Sequence, residues 1–163
     1  MLIAHLPSGY VVGALGQRAC PSVRGVLAAA LVGSVLPDVD MLWFHLADGG
    51  RTHHHAFVTH WPLFWAAVSA VLIAATSAFR PRWRPAAMAF AAAVLLHMAL
   101  DSVAAPMTWL APFSDATVEL ARVPAIHPNW IVSFLLHWTF LIELAICAVA
   151  AALWLARRRQ PTP

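Results

Sequence analysis

The sequence has few cysteines and few charged residues. Cys20 and Cys147 are its only cysteines among 163 residues and form no Cys-x-x-Cys spacing, which argues against a disulfide framework and a thiolate zinc site. Charged residues make up 10 % of the chain and hydrophobic residues 61 %, which excludes an ordinary soluble domain. The composition therefore predicts a small integral membrane protein that contacts membrane lipids.

Lysine is absent, and all ten basic residues are arginine. Eight of them stand in three places, which are Arg18 with Arg24, residues 80–84 and residues 157–159. Arginines grouped between apolar runs are typical of membrane topology signals. We therefore expect no nucleic-acid partner, although basic residues outnumber acidic ones.

Long uncharged runs predict the helices that cross the membrane. Residues 61–79 contain no charged residue, and as a helix they would be about 28 Å long, close to the ~30 Å apolar core of a bilayer. Further candidates, some short enough to be tilted or re-entrant, are residues 86–105, 130–156, 2–16 and 25–36. The sequence predicts one all-α domain over residues 1–163, a small polytopic membrane helical bundle of about four to five membrane helices.

Small residues indicate how the first helix packs. His5, Gly9, Gly13 and Gly16 recur at spacings of four, four and three residues, so they share one face of a helix. Glycines at such spacings let a neighbouring helix approach closely. We therefore expect His5 to point into the bundle and away from lipid.

The two ends of the predicted helices carry different chemistry. If the arginine groups are cytoplasmic, as the positive-inside rule predicts, most histidines and several carboxylates fall at the other membrane face. These residues are His5, Asp38, Asp40, His45, the histidines within residues 53–60, Asp101 and His127, with His97 about one turn inside. This segregation predicts a site on the extracytoplasmic side of the cell's inner membrane.

Two short motifs pair ionisable residues in ways that suit a metal site. In HMALD, His97 and Asp101 stand four residues apart on one helix face, with Cβ atoms about 5–6 Å apart, so both can reach one metal ion or two adjacent ions. In LPDVD, one of Asp38 and Asp40 could be a ligand while the other orients a histidine or takes a proton from bound water.

The stretch THHHAFVTH adds four histidines at positions 53, 54, 55 and 60. Three consecutive histidines cannot all face one point, so at most one or two of His53, His54 and His55 are expected to bind a metal directly. Histidine and aspartate without cysteine suit zinc, with manganese or iron as alternatives.

Together these motifs predict a site for a divalent metal ion, or for more than one. Metals lower the pKa of a bound water to roughly 7, which makes hydrolysis the simplest reaction for such a site. The predicted catalytic residues are Asp40 and His55. The predicted metal ligands are His5, Asp38, His55, His60, His97 and Asp101.

The order of the motifs resembles a known family. An early His, LPDVD, His-x-x-x-Thr-His at residues 55–60, HMALD and WLAPFS follow one another within residues 1–114, as in the membrane-bound metal-dependent hydrolases of the YdjM type. The resemblance implies metal-dependent hydrolysis but supplies no substrate, and we expect a small-molecule or lipid-derived phosphoester or ester. It implies metal dependence at His5, Asp38, Asp40, His55, His60, His97 and Asp101.

Two other functions stay open at the level of sequence. A b-type haem protein would use His97 and His137 as axial ligands from two helices. A proton-coupled carrier would centre on Glu143, which would lie about 20 Å along a single helix over residues 130–156, near mid-membrane and either protonated or hydrogen-bonded to a neighbouring helix. The sequence does not specify the oligomeric state.

Overall fold

The computed structural model describes residues 1–49, 51 and 54–159, without the side chains of His45 and His54. Within these ranges the chain forms helices and no β-strand, apart from one isolated bridge between Met107 and Val118. The all-α prediction is therefore confirmed. The helices are α1 (His5–Ala19), α2 (Val26–Val35), α3 (Asp40–Trp43), α4 (Pro62–Phe79), α5 (Arg84–Asp101), α6 (Trp130–Leu135) and α7 (Phe140–Arg158).

Three helices are long and apolar enough to cross a membrane among the residues described, namely α4, α5 with the turn that precedes it, and α7. A fourth crossing is possible if α2 and the helical turns over Pro37–Asp48 act as one span bent by 49°. The predicted four to five membrane helices are reached, at four, only if this bent pair is counted as one span. Helix α1 has 15 residues, or about 22 Å, which is less than the bilayer core, as expected for residues 2–16.

The centre of the bundle is built from α1, α2 and α5, which all contact one another. Small buried side chains, including Ala30, Ala89 and Ala93, let these helices lie close together. Helix α4 packs on α5 through Trp65 and Met98, while α7 packs against α1. The most tightly packed part of the molecule is therefore the three-helix centre.

The glycine face predicted on α1 is the contact with α2. A Cβ atom added at Gly9 would lie 2.1 Å from the Ser34 hydroxyl and 2.9 Å from the Ala30 carbonyl oxygen. At Gly16 the same atom would meet only a methyl group of Val26, at 2.9 Å. His5 lies on this buried side of α1 and is 7 % exposed, so its predicted inward orientation is confirmed.

The chain order of the helices gives the bundle two different ends. Helices α1, α4 and α7 begin at one end, where α2 and α5 finish, and the motifs with His and Asp all lie there. Arginines gather at the other end, where Arg24 and Arg82 line one cavity with Trp83. The separation of the two chemistries predicted from the sequence is therefore present in the fold.

Helix α5 ends at Asp101, four residues before the predicted end of its span. The carbonyls of Ser102 and Val103 accept hydrogen bonds from the backbone N–H groups of Leu120 and Ala121, at 2.8 and 2.9 Å. Pro106 also disfavours the helical conformation of the residue before it, Ala105. The loop after α5 thus replaces the last turn of the predicted helix.

The single helix predicted over residues 130–156 is wrong, because the chain breaks into α6 and α7 with a turn at residues 136–139. In this turn the His137 ring nitrogen Nδ1 lies 2.9 Å from the Thr139 hydroxyl, a local contact that competes with helical hydrogen bonding. Glu143 consequently lies in the first turn of α7. It is not half-way along a membrane helix.

The close contact of α1 with α2 predicts different effects for the same substitution at two glycines. Gly9→Ala forces a methyl group against the Ala30 backbone and is expected to destabilise the protein by about 1–3 kcal/mol. Gly16→Ala displaces only a side-chain methyl and gains helix propensity, so its stability should stay within about 1 kcal/mol of wild type. Unfolding in detergent measures both, and equal losses of stability would contradict this contact.

Candidate metal centre

The structure brings all the predicted metal ligands together at one end of the bundle. They come from the start of α1, the turn after α2, the segment before α4 and the last turns of α5. Within each of three overlapping groups, the donor atoms lie within 4.8 Å of one another. The groups are His5 with His97 and Asp101, Asp38 with His60 and His97, and His55 with His60 and Asp101.

Asp101 is the centre of this cluster and is 1 % exposed. Its oxygen Oδ1 lies 3.1 Å from Nε2 of His5, and its oxygen Oδ2 lies 3.1 Å from Nε2 of His97. The two imidazole rings stack on each other with centroids 3.6 Å apart. The amino group of Met1 also contacts Oδ1, at 2.6 Å. Both carboxylate oxygens therefore face nitrogen atoms, and either could help to hold a cation.

Asp38 is the most exposed residue of the cluster. Its Oδ1 lies 3.5 Å from Nε2 of His60 and 3.6 Å from Nε2 of His97. The side chain of Asp38 is 36 % exposed, whereas His60 and His97 are fully buried. Asp38 is therefore the most accessible of the donor residues in the three groups.

Two histidines are held in one orientation by hydrogen bonds on the far side of the ring. Nδ1 of His97 lies 2.8 Å from the backbone carbonyl of Ser34, which can only accept, so Nδ1 donates and Nε2 faces the carboxylates. Nδ1 of His60 lies 2.6 Å from Oδ2 of Asp40, and the Thr59 hydroxyl donates to the same oxygen. Such partners behind a histidine are typical of metal ligands. Asp40 thus lies behind His60, outside the three groups of donor atoms.

These distances fit a metal ion. Two donor atoms bound to one tetrahedral zinc ion lie about 3.4 Å apart. In the cluster, the distances from a histidine Nε2 to a carboxylate oxygen are 3.1 to 3.8 Å. Nε2 of His97 and Oδ2 of Asp101 are buried and make no hydrogen bond within the described ranges. Buried polar atoms without a hydrogen-bond partner are rare. A cation between Nε2 of His97 and Oδ2 of Asp101 would interact favourably with both atoms. Nitrogen and oxygen donors without sulfur suit zinc, manganese or iron.

The carboxylates of the cluster shift the pKa of His60. Burial lowers the pKa of this imidazole, but hydrogen bonds with Asp38 and Asp40 outweigh burial and raise the pKa to about 9. The site therefore favours a positive charge at this position. A metal ion and the His60 proton compete for the same nitrogen, because only a deprotonated Nε2 can bind a metal.

Several residues considered from the sequence lie elsewhere. His53 is outside the described residues, as are the side chains of His45 and His54. Nδ1 of His127 accepts a hydrogen bond from the backbone of Asn129, in the segment before α6. His127 thus adds no donor atom to the three groups.

The structure gives the two alternative functions no support. Nε2 of His97 faces two carboxylates, and His137 contacts Thr139 in the turn before α7, so the pair does not form an axial set for haem. Both oxygens of Glu143 accept hydrogen bonds from the backbone ahead of α1. Glu143 therefore has a structural role, whereas a proton carrier needs a carboxyl group that is free to take up and release a proton.

Neither the role of Ser34 nor the contact of Glu143 with the backbone ahead of α1 was predicted from the sequence. Ser34 acts through its backbone carbonyl, for which no side-chain signal exists. The contact of Glu143 follows from the start of α7 at Phe140, which the sequence did not indicate. Thr59 stands next to His60 in the sequence, and its hydroxyl donates a hydrogen bond to Asp40, the residue behind His60.

The raised pKa of His60 predicts a proton release on metal binding. At pH 7.5 the metal-free imidazole carries its proton, so zinc affinity should rise with pH and level off above about 9. Calorimetry in buffers of different ionisation enthalpy counts the released protons. Wild type should release about one proton more than His60→Gln, and equal release by the two proteins would contradict the assigned state of His60.

Comparison with known proteins agrees with the fold. The chain matches the family described as YdjM inner membrane protein over residues 1–160, which extends beyond the motifs within residues 1–114. No curated protein and no solved structure matches it. The family description accords with the three or four candidate membrane helices. The chain therefore belongs to the YdjM inner membrane protein family.

Proposed function

We propose that this protein is a membrane-embedded hydrolase that depends on a divalent metal, with zinc favoured over manganese or iron. The observation that carries the proposal is the convergence of the predicted ligands into three overlapping groups around Asp101. The residues are far apart in sequence, and four of the six histidine and aspartate ligands are buried histidines. Buried ionisable residues at a membrane boundary are costly and are most often functional.

A bound divalent ion would supply Lewis acidity, which lowers the pKa of a water molecule and polarises an ester bond. The chain holds the ligands in place through Ser34 behind His97 and Asp40 behind His60. Nε2 of His55 lies 3.7 Å from Oδ2 of Asp101. From there His55 would help to hold the metal or would accept a proton from water at Nε2.

The proposed substrate is a phosphoester or ester, taken as a small molecule or a lipid-derived molecule. The exposed side of Asp38 gives access to the cluster at the ends of the helices, near the boundary of the apolar spans. The arginines at the opposite end of the bundle favour the extracytoplasmic side for the site. A lipid headgroup at that boundary would carry the bond to be cleaved.

The proposal predicts that metal content depends on the two central ligands. Elemental analysis of detergent-purified wild-type protein should give stoichiometric zinc, manganese or iron. His97→Ala and Asp101→Ala should each lose most of it, since each removes a donor shared by two of the three groups.

His127→Ala is the matched control, because it removes a histidine side chain whose Nδ1 accepts a hydrogen bond from the backbone of Asn129, outside the cluster. It should retain the wild-type metal content. Wild-type protein without metal, or with metal that all variants retain, would contradict the proposed function.

Asp40 provides the corresponding prediction for activity. Asp40→Asn keeps the side-chain volume but removes the charge behind His60, and should lower hydrolysis by about 10- to 100-fold. Turnover of bis(p-nitrophenyl) phosphate and p-nitrophenyl acetate by metal-loaded protein measures this. Asp115→Asn, at an exposed position of the loop after α5, should have wild-type activity, and a similar loss in both variants would argue against a specific role of Asp40.

A further inference from the structure

Glu143 connects the last helix to the start of the first. It lies in the first turn of α7 and is fully buried. Its Oε1 accepts a hydrogen bond from the backbone N–H of Leu2 at 2.8 Å, and its Oε2 accepts one from that of Ala4 at 3.0 Å. The N–H of Ile3 donates to Oε2 as well. One carboxylate thus holds three consecutive backbone groups.

These contacts lie just ahead of α1, which has no side-chain cap of its own. Ala4 is the N-cap residue of α1 and offers no side-chain hydrogen bond, and the first turn of α1 contains no acidic residue. The start of a helix carries a partial positive charge. Glu143 places a negative charge there, which offsets a field that would otherwise oppose a cation in the cluster.

The residue that follows Ala4 is His5, a predicted ligand. Its Nε2 lies 3.1 Å from Oδ1 of Asp101, and its ring stacks on that of His97. Because His5 is the first residue of α1, the direction of its side chain depends on how the backbone of residues 2–4 enters the helix. The hydrogen bonds to Glu143 hold the backbone of residues 2–4 where it enters α1.

We propose that Glu143 is a positioning residue of the metal centre, which holds the backbone ahead of α1 so that His5 reaches Asp101. The inference rests on the proposed metal-dependent function. Helix α7 would then support the metal centre, although none of the three ligand groups includes a residue of that helix.

The test is a double-mutant cycle on zinc affinity, measured by competition with a chromophoric chelator in detergent. Glu143→Gln should weaken zinc binding by about 10- to 100-fold, as expected for partners behind a ligand, and His5→Ala should weaken it to a similar extent. The double variant should bind no more weakly than His5→Ala alone, because without His5 its position no longer matters. Amide hydrogen exchange should speed up in residues 2–8 of Glu143→Gln.

Two controls separate this role from charge loss and from packing. Glu119→Gln removes the same charge from a carboxylate that faces Arg122. Ala150→Val disturbs α7 two turns further along, beside Leu6 and Tyr10, without touching the carboxylate. Both should bind zinc as wild type does. If Glu143→Gln does not unfold cooperatively, Glu143→Asp, which keeps the charge and withdraws the oxygens, takes its place in the cycle with the same expectation.

The outcomes distinguish the two proposals. Wild-type protein that binds no zinc would overturn the proposed function and the positioning role together. Zinc binding that Glu143→Gln leaves unchanged would overturn the positioning role alone. So would a loss that is as large in the His5→Ala background as in wild type, because Glu143 would then act independently of His5.

Discussion

The buried carboxylate of Asp101 is the constraint on which the site depends. A carboxylate removed from water is costly unless donors and opposite charges surround it, and Asp101 is almost fully buried at the end of α5. The fold meets this need by bringing His5 and His97 to its two oxygens. The start of α1 and the end of α5 must therefore lie at the same level, which the close packing of small residues in α1, α2 and α5 permits.

The other ligands follow from the same arrangement. Pro37 ends α2 at the level of Asp101 and presents Asp38 on a helical turn, and the segment before α4 carries His55 and His60 back across this end of the bundle. Short helices that do not reach across a bilayer thus serve to place side chains. The longer helices α4, α5 and α7 provide the apolar length that a membrane protein of this family needs.

Much of the site could be predicted from the sequence because its signals are local. The His97 and Asp101 pair follows from helical spacing, and the burial of His5 follows from the glycines on its face. The break before α7 could not be predicted, because residues 136–139 contain neither proline nor glycine. The role of Glu143 depended on that break, and the contact of the Ser34 carbonyl with His97 is a backbone interaction that no residue type indicates.

In the proposed function, the donors around Asp101 hold a metal ion together. Anomalous diffraction at the zinc absorption edge, from crystals of the full chain grown with zinc, tests it most directly. We expect an anomalous peak between Nε2 of His97 and Oδ2 of Asp101, with His5 or His60 completing the coordination. Well-ordered crystals with no peak there, or with zinc bound only at surface histidines such as His127, would contradict it.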